Sequence, residues 1–299
     1  MLFLRDVEKR YQGVLGFSCT SFAAPDGMVT CVVGPNGAGK TTALKTIGGL
    51  VRADGGEVLV DGAAPGALPD PLRHLGLVLG PDHWVGSRTG LQCLAGLART
   101  CGVPVARVRQ CLDEAGIGAV GDRRVGTYSL GMRQRLSLAA AMLGDPHNLV
   151  LDEPFNGLDP EGVRWLRSLL RRLAGQGRAV LVSSHLLAEV EDVADRVVAL
   201  KEGRVLAQVR TDEVRRPGGV LVRVDELSQA VALARSRGWQ VATTVREGES
   251  KDAVVIDAGI QEVQTAFLDE GVLFTEMREA RRSLEDWFFR VQEEGGQES

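Results

Sequence analysis

The sequence predicts an α/β protein with a mixed, mainly parallel sheet, followed by a small α+β domain. Three observations carry this. Between residues 149 and 200 short apolar runs (149–151, 179–183, 196–200) alternate with helically spaced segments (161–174, 186–194), and helices between apolar strands imply parallel pairing. Near the N-terminus, the run Val29-Thr30-Cys31-Val32-Val33 meets a glycine-rich turn, then the helix-spaced Thr42-Ala43-Leu44-Lys45-Thr46-Ile47. Beyond residue 219 the rhythm changes to strand 220–224, helix 227–237, strands 241–245 and 253–256, helix 260–268 and strand 272–276. That order is the split βαβ pattern of ferredoxin-like domains.

In chain order, residues 2–11 and 16–23 alternate as strands should. Residues 57–60 with the Asp61-Gly62 turn suggest a further antiparallel edge, hence an antiparallel β subdomain. The run 75–79 reads as a strand ending at Gly80. From 91 to 143 apolar residues recur at helical spacing, with breaks at Gly102-Val103-Pro104 and Gly116-Ile117-Gly118. This predicts an inserted helical subdomain at about residues 85–145. The first domain is expected to span 1–210, a linker 211–219 closed by Pro217-Gly218-Gly219, and the accessory domain 220–292. The final helix, 283–291, is dense in aromatics and is expected to pack on its own domain, because its polar residues are largely acidic. The tail 293–299 should be disordered.

Composition narrows the function. The chain has 299 residues, 44% hydrophobic and 25% charged, ordinary for a soluble protein. No stretch approaches the roughly 18–20 apolar residues needed to span a bilayer, so the chain forms no channel itself. Residues 1–210 hold 24 Lys/Arg against 21 Asp/Glu, whereas 211–299 hold 11 against 18. An acidic accessory domain argues against nucleic acid as a ligand. Cys19, Cys31, Cys93, Cys101 and Cys111 lack C-x-x-C spacing and read as reduced thiols rather than a cysteine zinc site.

Chemistry is most legible at Gly34-Pro35-Asn36-Gly37-Ala38-Gly39-Lys40-Thr41, which reads G-x-x-x-x-G-K-T. The glycines let successive N–H groups turn inward around a polyanion. Lys40 would set a positive charge against terminal phosphates, and the Thr41 hydroxyl would bind Mg²⁺. Phosphate would then lie at a helix N-terminus, with Thr42 in its first turn. A second apolar run, Asn148-Leu149-Val150-Leu151, ends in Asp152-Glu153-Pro154. Two acids at the C-terminal end of a buried strand suit metal holding (Asp152) and polarisation of an attacking water (Glu153).

Around these lie Tyr128-Ser129-Leu130-Gly131-Met132-Arg133-Gln134-Arg135, Gly157-Leu158-Asp159-Pro160 and Ser183-Ser184-His185. The order resembles the ATP-binding cassette (ABC) ATPases over roughly residues 1–210, in particular the bacterial drug-resistance and antibiotic-export subgroup, in which the ATPase and the membrane channel are separate polypeptides. The resemblance implies a P-loop cassette fold, ATP and Mg²⁺ as ligands, and an ATP hydrolase. It implies that Tyr11 stacks on adenine, and that Ser129 and Gly131 contact the γ-phosphate of ATP held by a second copy. It further implies that His185 contacts γ-phosphate and that Asp159 links the two sites. Independently, Ser129 precedes an apolar helical run and reads as an N-cap. The family usually carries Gln or Glu where this chain has Gly80, so Asp82 or His83 substitutes or the position goes without a side chain.

The expectation is therefore a cytoplasmic ATPase subunit, peripheral on the membrane, acting as an ATP-sandwich homodimer. A polytopic membrane permease would dock on the helical lobe and export a small hydrophobic molecule. The alternatives are a regulatory ATP-binding switch with weak hydrolysis and a soluble ABC protein without a transport role.

Overall fold

The structure, a computed structural model, describes residues 1–80, 84–214, 217–244, 253–281 and 283–294. They fall into two compact units, Met1–Thr211 with the chain end from Phe288, and Asp212–Trp287.

The first unit is organised by one nine-stranded sheet. Its strands are β1 (Leu2–Tyr11), β2 (Val14–Ala24), β3 (Val29–Val33), β4 (Gly55–Val60), β5 (Leu75–Val78), β6 (Asn148–Leu151), β7 (Ala179–Ser184), β8 (Arg196–Lys201) and β9 (Arg204–Arg210), in the order β4-β1-β2-β9-β8-β3-β7-β6-β5. The segment β8-β3-β7-β6-β5 is parallel throughout. Strands β3, β6 and β7 are buried at every residue, the continuous apolar character of strands covered on both faces. At the other end β1 pairs β2 and β4, and β8 pairs β9, all antiparallel, while β2 meets β9 in parallel at Ser18 and Arg204. The core joins Phe17 and Phe22 of β2 to Val32, Leu181 and Val198 of the parallel strands, and to Leu44 and Ile47 of helix α1 (Lys40–Ile47).

A one-turn α2 (Pro71–His74) precedes β5. The helical segment then contains α3 (Gly90–Thr100), α4 (Val105–Glu114) and α5 (Leu130–Ala141). Thr89 starts α3 with a reciprocal cap: Gln92 N donates to Thr89 Oγ1 at 3.1 Å and Thr89 N to Gln92 Oε1 at 3.0 Å. Gly102 and Gly116, both at positive φ, follow α3 and α4 and end them. Helix α6 (Pro160–Gly175) presents Leu166, Leu169, Leu170 and Leu173 to the interior. The helix expected over 186–194 is only the single turn α7 (Leu187–Val190). Val193 N and Ala194 N both bond Val190 O, and Asp195 N bonds Val29 O, so the chain coils into turns and enters β8.

After the one-turn α8 (Thr211–Val214), the second unit runs β10 (Pro217–Val224), α9 (Leu227–Ser236), β11 (Val241–Thr244), β12 (Ala253–Ile256), α10 (Ile260–Asp269) and β13 (Phe274–Arg281). Its sheet has the order β11-β12-β10-β13 with all neighbours antiparallel, which is the split βαβ arrangement. Val222, Val254 and Phe267 centre its core, and Phe267 meets Phe274 edge-to-face at 6.2 Å. Much of the 211–219 stretch is regular, α8 and then the start of β10, with 215–216 outside the described residues. The last helix, α11 (Leu284–Glu294), takes in the first two residues of the tail, and 295–299 lie outside the described residues. Among the described residues no helix is long and apolar enough to cross a membrane.

Candidate functional site

The loop between β3 and α1 is shaped by glycines with separate reasons. A Cβ on Gly34 would run into the Leu200 carbonyl, and one on Gly39 would lie 2.6 Å from Gly16 O. Gly37 and Gly39 sit at φ +81° and +95°, which favours glycine. Gly39 is the N-cap of α1 and no side chain caps that end, so first-turn N–H groups face an anion site. Pro35, Asn36 and Gly37 are exposed, Ala38 is buried, and Thr42 is half-buried on the first turn.

Lys40 is 6% exposed, yet its ammonium is well satisfied. It donates to Gly34 O at 2.7 Å and Pro35 O at 3.2 Å, and pairs with Glu153 Oε1 at 3.1 Å. Beside it Thr41 Oγ1 donates to Asp152 Oδ2 at 2.7 Å. The other Asp152 oxygen accepts from Ser183 Oγ at 2.6 Å, and that hydroxyl accepts from Glu153 N at 2.8 Å. Glu153 has φ +47°, a left-handed backbone unusual for a residue with a side chain. Its second oxygen, Oε2, lies 2.8 Å from His185 Nδ1. Lys40, Thr41, Asp152, Glu153 and His185, far apart in sequence, thus form one connected cluster past the C-terminal ends of adjacent strands.

Ser183 was not expected from the sequence as part of this group. The available signal was a pair of hydroxyls closing a buried apolar strand. The second, Ser184, donates to Glu189 Oε2 at 3.0 Å. Burial pushes the Glu189 carboxyl above its usual range and the nearby Glu153 charge adds to this, against the Ser184 hydrogen bond and His185.

The Tyr11 ring is 45% exposed and lies over Gly16, where a Cβ would come within 2.8 Å of it. The Gly16 carbonyl in turn abuts Gly39, so the ring stands next to the loop. Lys9 Nζ is 5.5 Å from its centroid. Gly80 has φ +137°, and nothing lies within 4 Å of an added Cβ. It follows the end of β5, where Val78 O accepts from Asp152 N at 2.8 Å. Asp82 and His83 lie outside the described residues.

Ser129, Gly131 and Asp159 form a separate group. Ser129 Oγ caps α5 by accepting from Met132 N at 3.2 Å. Asp159 Oδ1 caps α6 through Gly162 N at 2.8 Å. The two caps meet through Leu158, whose Cδ2 would lie 3.3 Å from a Cβ on Gly131. Together they line an open cleft of about 450 Å³ that also exposes Arg123 and Arg135. Two helix N-termini and two guanidiniums suit this cleft to an anion presented from outside.

The oxygen pair Thr41 Oγ1 and Asp152 Oδ2 has the hard-donor chemistry that Mg²⁺ prefers, and the glycine loop is a cradle that side chains would fill. Comparisons agree with this geometry. A family model described as ABC transporter matches residues 17–156. The daunorubicin resistance ATP-binding protein DrrA2 of Streptomyces coeruleorubidus is 33% identical, over 95% of this chain and 92% of its own. The lantibiotic transport ATP-binding protein SrtF of Streptococcus pyogenes is 31% identical, over 71% and 92%. Among solved structures, an ATP-binding subunit of an ABC transporter superposes with a TM-score of 0.65 at 26% identity, over 72% of this chain and 92% of that one. With its phosphate-cradling loop, its paired acids and relatives matched along nearly their whole length, the chain belongs to the ATP-hydrolysing, ATP-binding subunits of the ABC transporter family.

Proposed function

We propose that this chain powers export of a small hydrophobic, antibiotic-like molecule through a separate polytopic permease, working as an ATP-sandwich homodimer on the inner face of the membrane. The relatives named for lantibiotic and daunorubicin handling support the cargo class. The carrying observation is the connected cluster of Lys40, Glu153 and His185 beside the Thr41–Asp152 pair.

In this reading Tyr11 stacks on the adenine. The backbone of Gly34, Pro35, Asn36, Gly37, Ala38 and Gly39, with Lys40, Thr41 and Thr42, holds the phosphates. Thr41 and Asp152 hold Mg²⁺, which when bound neutralises charge on the phosphate oxygens. Glu153 orients the attacking water and accepts its proton; its position between Lys40 and His185 supports this role. His185, held by Glu153, contacts the γ-phosphate. Ser129, Gly131 and the Asp159 turn face the ATP of the second copy, a role favoured by their separation into a distinct anion-suited cleft. Gly80, which lacks a side chain where the family has one, favours a second reading in which hydrolysis is slow and the subunit acts mainly as a switch.

The test is Glu153→Gln. It should bind Mg-ATP, fail to hydrolyse it, and accumulate as a closed dimer in size-exclusion chromatography. A population that stays monomeric with ATP and the permease present would refute the composite site.

A further inference from the structure

At the opposite ends of the same parallel strands lies a second cluster of chemically competent side chains. Asp26 precedes β3, Asp61 follows β4, and His147 immediately precedes β6. One ligand atom from each lies within 4.8 Å of the others. His147 Nε2 is 3.0 Å from Asp26 Oδ1. The Met1 ammonium sits between the carboxylates, 2.5 Å from Asp26 Oδ1 and 2.7 Å from Asp61 Oδ1, so the group already converges on a positive charge.

We propose that Asp26, Asp61 and His147 form a divalent transition-metal site, with zinc as the best-matched ion. Two carboxylates and an imidazole are a borderline donor set that zinc accepts in tetrahedral geometry, and the two negative charges balance the ion. Ligands about 2.0–2.1 Å from zinc stand roughly 3.3 Å apart, so the His147–Asp26 pair, at 3.0 Å, has to open by a few tenths of an ångström, while the Asp61 oxygen, within 4.8 Å of the others, has to close by about 1.5 Å at most. The fourth corner falls to water.

The surroundings are organised as a ligand's outer partners are. Asp61 Oδ2 is taken up by His74 Nδ1 at 2.9 Å and by Asn148 Nδ2 at 3.0 Å, which leaves Oδ1 turned to the cluster. Such outer contacts fix a ligating carboxylate in orientation. Asn148 is fully buried, and its own Oδ1 has no hydrogen-bond partner among the described residues. Asp61 itself has φ +51° in a tight turn closed by Val60 N to Ala63 O at 2.8 Å. Non-glycine strain of this kind persists where the surroundings over-determine it. The site lies the length of β6 away from Asp152, so it is distinct from the nucleotide site and stands whether or not the chain hydrolyses ATP.

The experiment is calorimetric titration of zinc into the full chain without nucleotide or magnesium, with cobalt(II) absorption as a geometric readout. One saturable site is expected, with the visible bands of four-coordinate cobalt. Asp26→Asn and His147→Ala should each weaken zinc by about tenfold or more and remove those bands, while Asp152→Asn leaves zinc affinity unchanged. Asp26→Asn is an isosteric surface change and serves if His147→Ala does not fold. Absence of saturable binding, unchanged affinity in Asp26→Asn, or loss of affinity in Asp152→Asn would each overturn the assignment.

Discussion

Replacing Ser183 by alanine isolates the one hydroxyl that serves both acids. It donates to Asp152 Oδ1 at 2.6 Å and accepts from Glu153 N at 2.8 Å, in a fully buried position. A hydrogen bond to a carboxylate is worth about 1.5–3 kcal/mol and a neutral one about 1 kcal/mol. Removal therefore costs about 2.5–4 kcal/mol, offset by about 1 kcal/mol as Glu153 relaxes from its left-handed backbone. The net loss of about 1.5–3 kcal/mol corresponds to a melting temperature lower by about 3–12 °C for a unit of this size. Turnover should suffer more than binding. The phosphate loop is untouched, but Glu153 loses the contact that holds its backbone, and an ångström of misplacement costs about 100-fold. We expect kcat to fall about 10–100-fold with ATP affinity within about threefold of wild type. Scanning calorimetry and a phosphate-release assay measure both. Wild-type melting together with wild-type kcat would refute the bridging role.

Lys40→Ala removes a charge-assisted contact worth about 1.5–3 kcal/mol and should weaken ATP by about 10–150-fold in calorimetry; unchanged affinity would remove the phosphate loop from the mechanism. Gly80→Gln has open space for its side chain and should raise turnover if the missing ligand limits hydrolysis, with only a small fall in melting temperature from the positive φ; wild-type turnover would show that this position does not govern the rate. Burial holds the Glu189 carboxyl above its unfolded range, so its stabilising contribution is complete below about pH 4 and is lost as pH rises through the folded value. Glu189→Gln should flatten the decline in melting temperature across that window, and an unaltered pH profile would contradict the assignment.

Much of the nucleotide region could be read from residues alone, because local chemistry dictates it. A glycine-rich turn between an apolar strand and a helix has few other uses, and two acids closing a buried strand predict where β6 ends. The split βαβ rhythm was legible for the same reason, since each element carries its own period. Contacts made across strands were not. Nothing local tells that Ser183 bridges Asp152 and Glu153, or that Lys40 rests against Glu153, because pairing register decides both. The helix expected at 186–194 failed for a tertiary reason: the chain must return to the sheet beside Val29, and the turns after Val190 achieve that at the expense of helical length. The stretch read as a linker contains enough polar and small residues to resemble a loop, yet Thr211–Val214 forms a helical turn and β10 begins at Pro217.

In the parallel half of the sheet, Val33 stands opposite Ser184 and Leu151 opposite Val182. The segments bearing the loop, the histidine and the acids are therefore spaced one strand apart, about 4.8 Å, by main-chain bonds indifferent to side-chain identity. Substitution among apolar residues in β3, β6 or β7 leaves that gauge untouched. A change in residue count does not: losing one residue from β6 would turn every later side chain to the other face and set the Glu153 carboxylate where Asp152 should be. Drift in composition is cheap here, and drift in length is fatal.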